Sequence, residues 1–169
     1  MKPITILFLA FFTFLAGCSK DDTPKSLPPA TQTGEGIFAC LVNGEVFVHE
    51  DGLINCFYQY VDGGYYFGIT GKRNHTYDVS ALALSTLNKE INEGETYQLS
   101  QRIDGNAIGG GLNSELVYTN AQYTGEMTIT KLDFENHIVS GTFWFNLKHP
   151  VTGDTIKIRK GRFDALFYQ

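Results

Sequence analysis

Four histidines, His49, His75, His137 and His149, are the side chains of this chain best suited to acid–base or metal chemistry. No two stand at metal-ligand spacing, and each lies in or beside a turn-forming stretch. Asp133 and Glu135 are close enough to act as paired carboxylates. General acid–base work needs surroundings that separate the two pKa values, whereas these acids sit at the end of an expected hairpin, where water reaches both. The glycine-rich run GNAIGGGLNS, residues 105–114, lacks the Lys-Ser/Thr of a phosphate loop, and no helix follows to supply its dipole. It reads as a mobile loop or a strand-edge bulge. There is no Gly-x-Ser-x-Gly elbow and no Asp-rich calcium loop. The expectation is a protein without catalytic residues, metal or cofactor, and so not an enzyme.

Binding chemistry is better represented. In GTFWFNL, Phe143, Phe145 and Leu147 alternate with Thr142, Trp144 and Asn146. The next run alternates Ile156 and Ile158 with Lys157 and Arg159. If the Phe and Ile faces are buried, the single Trp points outward beside two cations. An outward indole can stack a sugar ring or seat a partner's side chain. The local alternative is that Arg159 or Lys157 simply covers the ring through a cation–π contact. Tyr65 and Tyr66 follow the Gly63-Gly64 turn, and one of each alternating pair must also face outward. Trp144, Lys157, Arg159, Tyr65 and Tyr66 are therefore the candidate binding surface.

The elements that position these residues read as strands. Asn43-Gly44 separates IFACLV from EVFVH, and Asp62-Gly63 lies between NCFYQYV and GYYFGIT. Both dipeptides are strong hairpin signals. YDVSALALSTL alternates as a strand. GETYQLS, SELVYTN, GEMTITKLD, HIVSGTFWFNLKH and TIKIRKGRFDALF supply the rest. Only STLNKE, residues 85–90, offers a turn of helix. Strands at this spacing predict an all-β domain, an antiparallel β-sandwich or partly closed barrel of about 8–10 strands. It should occupy residues 36–169. Residues 18–35, with their prolines, serines and threonines, read as a flexible linker.

The amino end has its own pattern. Lys2 precedes an apolar run from Ile4 to Leu15, too short for the roughly 20 residues that span a bilayer but suited to the centre of a secretory signal. Leu15-Ala16-Gly17-Cys18 resembles the lipobox of bacterial lipoproteins. That resemblance implies cleavage after residue 17, transfer of a diacylglyceryl group to the Cys18 thiolate, and acylation of the new amino terminus. One acyl chain holds only marginally, at roughly 0.8 kcal/mol per buried methylene, so two or three are needed for lasting anchorage. Ser19 rather than Asp after the cysteine is similar to lipoproteins sorted to the outer membrane. Ser19-Lys20-Asp21-Asp22 looks like a short acidic export signal that carries lipoproteins to the outer surface. The expectation is a lipid-anchored outer-membrane protein facing outward, with a periplasm-facing orientation as the alternative.

Removing residues 1–17 leaves twelve basic and eighteen acidic residues, a net charge of −6. That balance gives no footprint for nucleic acid, and hydrophobic content of 43% excludes a disordered chain. With Cys18 lipidated, Cys40 and Cys56 remain, an even number in an oxidising compartment. Two readings stand: a disulfide, which would contribute about 3 kcal/mol, or two buried thiols acting as small apolar residues. The pattern Gly36-x-Phe38-x-Cys40-x-Val42-Asn43-Gly44, then loosely Gly94, Tyr97 and Leu99, then Ile138-x-Ser-Gly-Thr-Phe-x-Phe145 and Gly161-Arg-Phe-Asp164, resembles an uncharacterised family of short single-domain bacterial lipoproteins. The resemblance supports the all-β reading and implies no activity. The expected function is a non-catalytic binding or adhesion module for a glycan or protein. The alternatives are an accessory envelope protein that pairs with another membrane protein, and a lipocalin-like carrier of a small ligand.

Overall fold

The computed structural model describes residues 26–50, 52–74, 79–112 and 115–169. The expected signal sequence, the lipobox-like stretch with Cys18, the Ser-Lys-Asp-Asp run and His75 lie outside the described residues. Strands form where alternation and turn chemistry place them: β1 (Ile37–Val42), β2 (Glu45–Val48), β3 (Asn55–Val61), β4 (Gly64–Lys72), β5 (Ala81–Thr86), β6 (Thr96–Leu99), β7 (Ala107–Leu112), β8 (Leu116–Tyr118), β9 (Gly125–Asp133), β10 (Ile138–Lys148) and β11 (Thr155–Leu166). The two short hairpins turn as expected. Asn43 and Gly44 have φ of 50° and 95°, and Asp62 and Gly63 have 49° and 84°; these positive values are what a two-residue turn matched to strand twist requires.

All eleven strands join one sheet in the order β2-β1-β11-β10-β9-β6-β7-β5-β4-β3, with β8 paired to β7. Every pairing is antiparallel except β6 with β7. The sheet curls into a half-barrel, which resolves the open choice between sandwich and barrel in favour of the barrel. At the β3 edge the backbone of Tyr168 bonds to Cys56 and Tyr58. At the β2 edge the Glu50 N–H donates to the Lys72 carbonyl, and the Lys72 N–H donates to His49 Nδ1 at 3.0 Å. His49 is thus a closure residue rather than a loosely solvated one.

The interior is filled with rings. Phe38 packs on Phe143 at 5.0 Å between centroids and on Phe47 at 6.2 Å, and Phe67 meets Phe163 at 6.0 Å. Such packing needs bare backbone opposite. A Cβ on Gly71 would stand 2.3 Å from Phe38. The same need explains Gly109 and Gly111, where a Cβ would come within 2.9 Å of Phe145 and 2.7 Å of Leu147. The glycine-rich run is therefore not a loop or an edge bulge. It is strand β7, buried between β6 and β5, and its sequence hid this because a strand of glycines shows no alternation. This strand carries the tally past the expected range. STLNKE likewise ends β5 and forms no helix.

Cys40 and Cys56 are both buried and both free. The disulfide does not form: β1 pairs with β11 and β2, β3 pairs with β4, and Cys40 faces Phe47 across the ladder while Cys56 faces Ile69. Burial pushes both thiols up to about 12, so neither is a thiolate at neutral pH.

The linker reading also changes. Asp164, 1% exposed, accepts hydrogen bonds from Thr31 Oγ1 at 2.6 Å, from the N–H groups of Thr33, Gly34 and Glu35 at 3.0, 2.9 and 3.1 Å, and from Ser140 Oγ at 2.7 Å. Arg162 Nη1 donates to the Pro28 carbonyl at 2.8 Å, and Gln32 Nε2 to the Thr130 carbonyl at 3.1 Å. Residues 28–35 are thus strapped across the outer face of β9, β10 and β11. A buried carboxylate demands partners, and here the supposed tether supplies most of them.

Candidate ligand cleft

The β3–β4 hairpin carries an aromatic run out of the barrel. Cys56, Tyr58 and Tyr60 share one face of β3, and their exposure rises from 0% to 4% to 64% as the strand leaves the interior. Tyr65 stands opposite Tyr60 in the ladder. Its ring lies 4.8 Å from Tyr60 and 5.7 Å from Tyr58. From the other side of the mouth, the β9–β10 turn presents Phe134, 52% exposed, at 5.9 Å from Tyr58. Phe167 closes the inner side, edge-on to both Tyr58 and Phe134. Tyr58, Tyr60, Tyr65 and Phe134, with Gln59, Val61, Glu90 and Gln169, line an open cleft of about 530 Å³, the size and placement of a ligand site in a barrel mouth.

Backbone bonds fix the floor and one wall. The Tyr58 hydroxyl accepts from the Ile91 N–H at 3.2 Å and donates to the Ile91 carbonyl. The Lys89 N–H donates to the Tyr65 carbonyl at 2.8 Å. Glu90, between these two anchors, is held at the rim. Burial raises the Tyr58 pKa above its ordinary value, with the Ile91 bond opposing and Glu90 and Tyr65 adding to the rise. Tyr58 is therefore a neutral phenol. Phe134 is presented by a turn that Asp133 holds: its Oδ1 accepts from the N–H groups of Glu135 and Asn136 at 3.1 and 3.0 Å. The Asn136 bonds and the Lys131 ammonium at 3.4 Å bring Asp133 down to about 2. Asp133 thus caps the turn.

The surface expected from sequence divides in two. Tyr65 belongs to this cleft. Tyr66 lies on the opposite face of β4, half-buried and opposite Gln59. Trp144, Lys157 and Arg159 lie on β10 and β11. Trp144 does point away from the core, as the alternation requires, but its surroundings occupy it. Its Nε1 donates to Glu126 Oε2 at 3.1 Å, Glu126 also accepts from Gln98, and the Arg159 guanidinium sits over the indole at 5.4 Å. Arg159 in turn donates to the carbonyls of Phe145 and Ile158 and to Asn146. This chain of side chains crosses four strands and fits the local reading of Trp144. Lys157 is exposed, and its backbone N–H bonds Asn43. Trp144 also lines a second cleft, of about 480 Å³, between the strap and the sheet, which shares no lining residue with the aromatic one.

Sequence reasoning missed Tyr58, Tyr60, Glu90, Phe134 and Gln169. The available signal was Phe134, a large apolar residue between acids in a turn, where burial is not expected. Among the described residues, no group of three or more His, Cys, Asp or Glu side chains is placed to hold a metal, and no helix is long and apolar enough to cross a membrane.

A mixed, mostly antiparallel half-barrel with a ring-lined mouth defines the class of protein. Residues 66–166 match the family described as Domain of unknown function (DUF6252), and the chain belongs to that family. The match ends two residues past Asp164 and includes both Ser140 and Asp164, one from each carboxy-terminal motif, which the fold joins in one hydrogen bond. No curated protein and no solved structure matches the chain.

Proposed function

We propose that this chain is a lipid-anchored, surface-directed lipoprotein that binds an extracellular glycan, without catalysis, in the mouth of its barrel. The observation that carries the reading is the cleft built on buried Tyr58, where the rings of Tyr60, Tyr65 and Phe134 cluster in the open. Monomeric domains seldom leave such clusters open without use. Flat aromatic faces stack on sugar rings, while Gln169 and Glu90 offer hydrogen bonds to hydroxyls. The ring-filled interior speaks against the small-ligand carrier. Lipid on Cys18 and export through Ser19-Lys20-Asp21-Asp22 complete the proposal. With residues 28–35 strapped down, the spacer ahead of Pro28 measures roughly 30 Å at polyproline extension.

Two measurements test this together. Protease shaving of intact cells should remove the wild-type domain, and Cys18→Ala should release it from the membrane fraction. The full-length protein, applied to a glycan array, should bind a subset of glycans. Tyr60→Ala and Phe134→Ala should abolish that binding while Trp144→Ala spares it. Binding lost with Trp144→Ala and kept with Tyr60→Ala would overturn the site. An anchored but protected domain would place the ligand in the periplasm.

A further inference from the structure

The charge of the cleft narrows its ligand. Of its eight lining residues one is acidic, Glu90, and none is basic. Further acids stand at its edges: Asp62 follows Val61 at the hairpin tip, and Glu135 follows Phe134, both exposed. The nearby bases are turned to other partners. Lys89 lies over the Tyr97 ring at 5.9 Å, and Lys131 pairs with Asp133 at 3.4 Å. Among the described residues Glu90 has no ion pair. A groove walled by electron-rich ring faces, with an unpaired acid on its rim, attracts an organic cation twice, through the ring quadrupoles and through the carboxyl group.

We propose that the glycan recognised here carries a free amine, that is, a cationic amino sugar. This deepens the binding reading above and rests on it. The rings take the apolar side of the pyranose, Glu90 takes the ammonium, and Gln169 takes hydroxyls. A quaternary ammonium fits less well. It has no N–H to offer Glu90 or Gln169, and with Tyr60 64% and Phe134 52% exposed the walls do not enclose it on all sides.

The test is calorimetric titration of the detergent-solubilised full chain with four probes: a glucosamine oligomer, its N-acetylated counterpart, a neutral glucose oligomer of equal length, and choline. The glucosamine oligomer should bind about five- to tenfold more tightly than either uncharged oligomer, with the preference shrinking as salt rises. Glu90→Gln, at an exposed position without an ion pair in the fold, should cut the preference sharply and leave only the share that the ring quadrupoles supply. Tyr60→Ala should bring all three oligomers to background. Equal affinity for the three oligomers, or a preference that Glu90→Gln leaves at full size, would overturn the charge inference and leave the glycan reading standing. Choline binding more tightly than the oligomers would overturn the saccharide. No binding of any probe, with a glycan array also blank, would remove both.

Discussion

Replacing Asp164 should loosen the strap and the barrel together. The carboxylate accepts five hydrogen bonds, four of them from residues 31–35. Each bond to a charged group contributes about 1.5–3 kcal/mol. Ordering the eight residues of the strap costs about 1–2 kcal/mol apiece. The two sums nearly cancel, so strap and carboxylate hold each other with little surplus. What Asp164→Ala cannot recover is the buried Ser140 hydroxyl, which is 0% exposed and loses its acceptor, together with the void beneath the released strap. A net loss of about 3 kcal/mol follows, or roughly 10 °C in melting temperature for a domain of this size. Hydrogen exchange should show the amides of Thr33, Gly34 and Glu35 unprotected in the variant, while the centre of β10 stays protected and loses only what the drop in global stability removes. The pH dependence has a definite sign. Burial pushes the Asp164 carboxyl upward, but the bonds from Thr31, Ser140, Glu35 and Gly34 outweigh it and leave the pKa below the ordinary value. Its stabilisation is therefore complete above the unfolded carboxyl pKa of about 3.9 and is lost as pH falls through the lower folded value. The gap between wild type and Asp164→Asn should be widest at neutral pH and close under acid. A melting shift below about 3 °C with strap amides still protected would refute the reasoning.

Two further outcomes follow from the core. Cys40 and Cys56 should react with a thiol reagent only after denaturation, when both become titratable, and a reductant should leave the melting temperature where it was; a reductant-dependent shift would mean that the cysteines pair. Gly71→Ala should cost about 1–3 kcal/mol, because its Cβ meets the ring of Phe38 rather than a flexible chain end. Thermal melts showing no loss there would mean that the ring stack is looser than its distances imply.

Much of the fold was legible because β-structure writes itself locally. Asn43-Gly44 and Asp62-Gly63 accept positive φ at little cost, and they marked two hairpins. The alternation of Phe143, Phe145 and Leu147 with Trp144 fixed which face of β10 is buried, since period two leaves no other choice. Strand β7 was illegible because its information lies in what it lacks: side chains that would collide with Phe145 and Leu147. The strap was misread for a related reason. Pro, Ser and Thr without periodicity describe a linker until a buried acid elsewhere needs donors, and Asp164 lies 129 residues beyond Glu35.

By itself the sequence determined an all-β domain, the turns and the outward Trp. Those properties depend on neighbours along the chain. Only the tertiary structure decided that the thiols stay apart, that Trp144 is held by Glu126 and Arg159, and that Tyr60, Tyr65, Glu90, Phe134 and Gln169 meet around one cleft. The physical reason is curvature. Rolling the sheet brings the β3–β4 hairpin, the β9–β10 turn and the chain's last residue to the same mouth, and no pattern within any one of those segments records the others.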